Sequence, residues 1–79
     1  MNLTNDKRVV VEMTFVPKER YLPVLESIRR NVRISVDRLR ARLTDSEAHL
    51  EMELSGDAGA IDDFIRHFRG RLSAPVAVA

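Results

Sequence analysis

The sequence has no cysteine, and only three glycines and three prolines among its 79 residues. Without cysteine, the chain forms no disulfide, no thiolate zinc site and no cysteine nucleophile. No apolar run approaches the roughly 20 residues of a membrane-spanning helix, and the start MNLTNDKR has no apolar signal-peptide core. We therefore expect a single cytoplasmic domain, residues 1–79, that does not associate with a membrane.

Sets of residues that perform chemistry are also missing from the sequence. His49 and His67 fall on different predicted elements, and neither has a second histidine or a carboxylate to complete a metal site. No serine has histidine and aspartate at triad-like positions, and the segment VPKERYLP has no glycine for an anion-binding loop. We therefore expect no catalysis, no metal and no cofactor.

Charge is nearly balanced but unevenly distributed along the chain. Residues 29–42 contain six arginines and one acid, whereas residues 45–63 contain seven acids and no lysine or arginine. A nucleic-acid-binding domain would carry a basic excess overall, and an RNA-binding sheet would expose aromatic rings. The pattern indicates pairing within the fold or between subunits and makes nucleic acid an improbable partner.

Periodicity predicts the first strand and both helices. Arg8–Val16 is rich in β-branched residues and is typical of a strand. A helix is expected at about 21–31, because apolar residues recur there at helical spacing and Pro23 suits a first turn. Asp57 is the expected N-cap of a second helix that Gly70 ends.

The segment ISVDRLRARLT, residues 34–44, fits the spacing of a helix and also the alternation of a strand. The neighbouring run Ala48–Leu54 favours the strand. If the two runs pair about a turn at Thr44–Glu47, opposing residue numbers sum to 91, so that apolar residues face apolar residues and arginines face glutamates or histidine. Ser35 and Asp37 then fall on the core side, which predicts either a β-bulge near Asp37 or a strand that leaves the sheet there.

The last strand is predicted at residues 72–79, at a sheet edge because of Pro75. The order of elements is then β-α-β-β-α-β, which is the α+β ferredoxin-like arrangement. We expect a four-stranded antiparallel sheet with both helices on one face. The spatial order of strands would be fourth, first, third, second.

Four segments in this order resemble a NIL domain, a small ACT-like module of bacterial methionine importers. They are MTF, LPVLESIRR, MELSG and AIDDFI, and the resemblance covers about residues 8–78. The family's N-I-L tripeptide falls on Asp37, Arg38 and Leu39. The resemblance implies a dimeric regulatory module that binds a small ligand, such as an amino acid or related metabolite, near this tripeptide.

An opposite-charge pair such as Asp37 and Arg38 can hold the ammonium and carboxylate groups of an amino acid. Ile34 and Val36 are expected on the helix-free face with the arginines, where they would contact a second chain. The candidate ligand or dimer site is therefore Ile34, Val36, Asp37, Arg38 and Leu39. The alternative is a non-catalytic assembly module that has no small ligand and pairs its edge strand with a copy or a partner protein.

Overall fold

The computed structural model describes residues 5–78. The main elements are β1 (Asp6–Phe15), α1 (Tyr21–Arg30), β2 (Ile34–Leu43), β3 (Ala48–Asp57), α2 (Ala58–His67) and β4 (Ala77–Val78). Single-turn 3-10 helices precede α1 at Lys18–Arg20 and follow α2 at Arg69–Arg71. The strands form one antiparallel sheet in the order β2-β3-β1-β4, and this confirms the predicted ferredoxin-like fold.

The core lies between one face of the sheet and the two helices. Alternate residues of β1 and β3 are buried, because successive strand side chains point to opposite faces. Val24 and Ile28 of α1, and Ile61 and Phe64 of α2, cover them. We call the other side of the sheet, which no helix covers, the open face. The buried strand residues are Val9, Val11, Met13, Phe15, Ala48, Leu50, Met52 and Leu54.

The hairpin of β2 and β3 has the predicted register. Leu39 pairs with Met52, Arg40 with Glu51, and the three pairs nearer the turn also sum to 91. The Thr44 amide donates to the Glu47 carbonyl at 2.9 Å, and the Thr44 hydroxyl accepts from the Glu47 amide at 3.0 Å. Because apolar and ionic rows both match in this register, a slip by one residue would move each row to the wrong face.

The predicted bulge is present: the register shifts between Val36 and Arg38, so Asp37 is the extra residue. One extra residue reverses the face of everything before it. Val36 therefore pairs with buried Leu54, and Ile34 is buried at 7% exposure. The expectation that Ile34 and Val36 share the open face with the arginines was wrong, because the bulge turns both side chains into the core.

Helix α1 ends at Arg30, one residue earlier than predicted. The Asn31 side chain accepts a hydrogen bond from the Arg33 amide at 3.0 Å, and the Asn31 backbone carbonyl accepts one from the Ile34 amide at 3.2 Å. This local turn competes with further helix. Val32, which continued the apolar spacing of the helix in the sequence, lies in the turn and is 99% exposed.

Helix α2 begins as predicted. The Asp57 carboxylate accepts from the Ala60 amide at 3.0 Å and so caps the helix. The predicted stop at Gly70 was wrong. The helix ends at His67, and Gly70 lies in the 3-10 turn that follows without a positive φ angle.

Strand β4 is far shorter than predicted, covering Ala77–Val78 opposite Val9 and Val10. Residue 79 lies outside the described residues. Before β4, Leu72 forms a single bridge with Met13, and the Ser73 amide donates to the Glu12 carbonyl at 2.9 Å. Pro75 has no amide donor to continue the ladder. The C-terminal segment therefore covers the outer edge of β1 at separate points.

Gly56 of β3 is the position where the fold requires glycine. Its φ angle is +139°, and a Cβ atom there would collide with the carbonyl oxygen of Arg33. Gly56 pairs with Ile34 at the start of β2. The missing side chain lets the chain before β2 approach the end of β3, which fixes where β2 enters the sheet.

Candidate binding surface along the edge strand

Among residues 5–78, strand β2 lies at an edge of the sheet and pairs with β3 alone. Its outer side carries backbone amide and carbonyl groups with no strand of the described residues beside them, along a ten-residue element. Beyond the bulge, two rows of side chains alternate along this edge. The apolar row, on the helix side, is Leu39, Ala41 and Leu43; the arginine row, on the open face, is Arg38, Arg40 and Arg42.

The apolar row is not covered in the way that the start of β2 is covered. Ile34 and Val36 pack against the core, but Leu39 is 38% exposed and Leu43 is 50% exposed. Their cross-strand partners Met52 and Ala48 are fully buried. The helices therefore cover the first half of β2 and leave the apolar row of its second half partly exposed.

The arginine row faces acids of β3 within the same sheet. Nε of Arg38 lies 3.7 Å from Oε2 of Glu53. Arg40 is opposite Glu51, and Arg42 is opposite His49. Among residues 5–78, no carboxylate oxygen lies within ion-pair distance of Arg40 or Arg42. These two guanidinium groups are available to an acidic partner.

The extra residue of the bulge, Asp37, directs its carboxylate to the open face. The Ser35 hydroxyl donates to Oδ1 of Asp37 at 3.0 Å. Hydrogen bonds from Ser55 and then Ser35 lower the pKa of Asp37, and the charge of Arg8 adds to the effect. These groups stabilise the ionised carboxylate, and with it the bulge.

A groove of about 430 Å³ runs between α1 and β2. All five candidate site residues line it, so the structure brings them together in one place. Leu25, Ile28 and Arg29 form the helix wall, which the sequence analysis did not assign to the site. Leu25 and Ile28 recur at helical spacing next to the basic residue Arg29. This pattern was the sequence signal that could have assigned them to the site. The lining residues are Leu25, Ile28, Arg29, Ile34, Val36, Asp37, Arg38 and Leu39.

The groove combines apolar side chains with Arg29 on its helix wall, whereas the Arg38 guanidinium is directed to Glu53 on the open face. This arrangement suits a small molecule with a carboxylate and an apolar group. The Asp37 carboxylate already accepts a hydrogen bond from the Ser35 hydroxyl at 3.0 Å. The predicted use of Asp37 for a ligand ammonium therefore has to compete with this bond.

The histidines have local partners. Nδ1 of His49 lies 3.1 Å from the Thr14 hydroxyl, and His67 packs edge-on against Phe68. Within residues 5–78, no group of three or more histidine, aspartate or glutamate side chains could hold a metal ion. Tyr21 packs against the core. The surface of interest is therefore the β2 edge and its groove.

In comparisons with known proteins, no family model, no curated protein and no solved structure matches the chain. No helix in the part of the chain that the structure describes is long and apolar enough to cross a membrane.

Proposed function

We propose that this domain is a non-catalytic interaction module that accepts a strand from a partner protein along the outer side of β2. One observation carries this proposal: β2 is a ten-residue edge strand whose apolar row is partly exposed. An added strand would bond the outward amides and carbonyls and cover the apolar row at once. Each half-exposed leucine would then gain the burial that its partner on β3 already has.

The contrast with the other edge supports this proposal. At the β1 edge, β4 and the Ser73 amide occupy backbone groups of Val9, Val10 and Glu12. At the β2 edge, no comparable segment among residues 5–78 approaches. Exposed edges pair readily with other chains unless something blocks them. Here charge limits which strand can pair.

A panel of extended heptapeptides tests strand addition. Three peptides alternate apolar residues with acidic, amide or basic residues, and amide hydrogen exchange is measured on the intact protein. We expect a binding peptide to slow exchange at the outward amides of β2. The amides of β3, already bonded on both sides, serve as the internal control. If none of the three peptides slows exchange in β2 at millimolar concentration, strand addition is wrong.

A second candidate function is the binding of a small carboxylate in the groove between α1 and β2, as the NIL-like resemblance implies. The groove supports it with a volume in the range of small-molecule sites and with Arg29 on its helix wall. The predicted amino acid or related metabolite is the ligand class. The predicted homodimer and cytoplasmic location also stay predictions.

A thermal-shift screen across amino acids and sulfur metabolites tests this second function. A ligand at 100 times its Kd stabilises the fold by about 2.7 kcal/mol, which raises Tm by roughly 10 °C or more for a domain of this size. Arg29→Gln should abolish the shift, and Arg42→Gln, outside the groove, should keep it. No shift at millimolar ligand would reject the small-ligand function and leave strand addition untouched.

A further inference from the structure

We propose that the strand accepted by β2 alternates apolar and acidic residues, and that it comes from a different protein. This inference rests on the strand addition proposed above and names the chemistry of the partner. It follows from three observations: the strand already seated on the inner side of β2, the side chains left over on the outer side, and the charge that a second copy would bring.

The inner side of β2 shows which sequence this strand accepts. Residues 50–54 of β3 are Leu-Glu-Met-Glu-Leu. In the register of the hairpin, Met52 lies opposite Leu39, and Glu51 and Glu53 lie opposite Arg40 and Arg38. Apolar residues meet the apolar row, and acids meet the arginine row. Such cross-strand pairs stabilise a sheet.

The outer side of β2 presents the same two rows to solvent. A strand on this side meets Leu39 and Leu43 on the helix face, both partly exposed. It meets the arginine row on the open face, where Arg40 and Arg42 have no carboxylate within ion-pair distance among the described residues. A five-residue run of apolar, acidic, apolar, acidic and apolar residues would match both rows.

A second copy of β2 would not match the arginine row. In an antiparallel pair about a two-fold axis, a residue and its partner number sum to a constant. Centring the pair on Arg40 places Arg38 opposite Arg42 of the copy, and Arg40 opposite itself. Centring it on Leu39 or Ala41 likewise places arginine opposite arginine. Like charges at directly opposed positions destabilise a sheet, so the charge pattern favours an acidic strand over self-pairing.

The open face near β2 also carries acids, and these do not replace the partner. Glu51 and Glu53 are on β3, one strand away from the outer side, and Glu53 pairs with Arg38. Asp37 is engaged by Ser55 and Ser35. The outermost charges of the sheet beyond the bulge are therefore the arginines. A partner strand would meet them before it meets any acid.

Fluorescence anisotropy with a dye-labelled peptide of residues 48–54, AHLEMEL, tests the partner chemistry on the full chain. Matched peptides carry glutamine or lysine at both glutamate positions. We expect the acidic peptide to bind about 25-fold more tightly than the lysine peptide, or about fivefold for each cross-strand pair. Added salt should reduce this difference, because the arginine side chains are exposed.

A charge swap provides the matched control. The double variant Arg40→Glu and Arg42→Glu should bind the acidic peptide less tightly and the lysine peptide more tightly, each by a similar factor. Arg38 stays unchanged because it pairs with Glu53. Should the double variant not fold, judged by circular dichroism, Arg40→Gln alone should reduce acidic-peptide binding about fivefold.

Two further peptides separate strand pairing from simple charge attraction. N-methylation at alternate residues removes the donors of one peptide edge and keeps every side chain. We expect at least one of the two alternate methylation patterns to abolish binding. Binding of both methylated peptides would overturn the inference. So would equal binding of acidic and lysine peptides, although strand addition itself would then stand.

The self-pairing outcome is measured in the same samples by light scattering. We expect no dimer that forms through β2, so the mass without peptide should be the same for the unaltered chain and for the Arg40→Glu and Arg42→Glu double variant. A dimer that Arg40→Glu and Arg42→Glu disrupts, together with no binding of the acidic peptide, would overturn the inference in favour of a second copy. A failure of all peptides with a monomeric protein would overturn both the inference and the strand-addition function.

Discussion

The two halves of β2 both alternate apolar and polar residues, but they have different surroundings. Before the bulge, Ile34 and Val36 lie under the helix layer and belong to the core. After it, Leu39 and Leu43 alternate in the same way but are 38% and 50% exposed. The residue between the halves, Asp37, is held on the open face by serine hydroxyls. We call residues 34–36 the anchor, because they pack against the core. We call residues 38–43 the presented half, because their side chains stay exposed.

This difference shows how an exposed edge can be kept in position. A strand with no neighbour on one side gains little from its outer residues, and such strands fray. Here the anchor is packed at Ile34 and locked by the close approach of the Arg33 carbonyl to Gly56. The presented half can then remain uncovered without loss of the strand. Breaking the anchor should therefore cost more stability than altering the presented half.

The largest effect is expected at Gly56. Gly56→Ala places a Cβ against the Arg33 carbonyl at a φ angle of +139°, which should destabilise the fold by about 4 kcal/mol. Gly70→Ala, where a Cβ meets nothing within 4 Å, is the matched control and should change stability by less than about 1 kcal/mol. Urea unfolding measures both. Equal effects at the two glycines would refute the anchoring role of Gly56.

A pair of alanine substitutions compares the halves directly. Ile34→Ala removes a buried side chain and should cost about 3 kcal/mol. Leu43→Ala removes one that is 50% exposed, so it should cost about 1 kcal/mol or less. Chemical denaturation of both variants gives the difference. If Leu43→Ala proves as costly as Ile34→Ala, the presented half is covered in the isolated protein, and the comparison fails.

The smallest effect is the acid sensitivity of the bulge. The folded state lowers the pKa of Asp37 below its ordinary value of 3.8. Its stabilising contribution is therefore complete above the unfolded pKa and is lost as pH falls through the folded pKa. Asp37→Asn should flatten the loss of stability between about pH 4 and pH 2.

Ser55→Ala removes the first cause of the shift and should flatten the same acid limb in part. Thermal unfolding at a series of pH values measures both variants against the unaltered chain. An acid limb that is unchanged in Asp37→Asn would show that this carboxylate does not support the bulge.

The hairpin could be predicted from sequence because its two strands constrain each other. Apolar and ionic alternation in β2 and β3 allows one register in which both rows match, and the structure has this register. The topology and the strand order follow from the hairpin, the two helices and an edge strand with proline. The N-cap at Asp57 was predictable for a local reason, since its side chain bonds an amide three residues ahead.

Other features depended on contacts that periodicity does not contain. The alternation indicated an extra residue near Asp37, but the faces of Ile34 and Val36 depend on which side of the bulge they occupy. Val32 kept helical spacing, yet the Asn31 turn ended the helix before it. The C-terminal run looked like a long strand, but two residues pair with β1.

The candidate site was predicted in part. The five residues of β2 were assigned together, and one groove brings them together. The helix wall with Leu25 and Arg29 was missed because residues of α1 and β2 become neighbours only after the helix packs on the sheet. The partial exposure of the apolar row was also missed, since alternation does not report how far a helix layer extends.

The extra residue at position 37 has a consequence for engineering. Because it offsets the two halves of β2 by one residue, a designer can diversify the three arginine positions without changing the packing of residues 34–36. A library at the three arginine positions would change which strands the edge of the sheet binds, while the hairpin keeps its register through the pair of Leu39 and Met52. The domain thus offers a small scaffold in which binding specificity can be changed along a single strand.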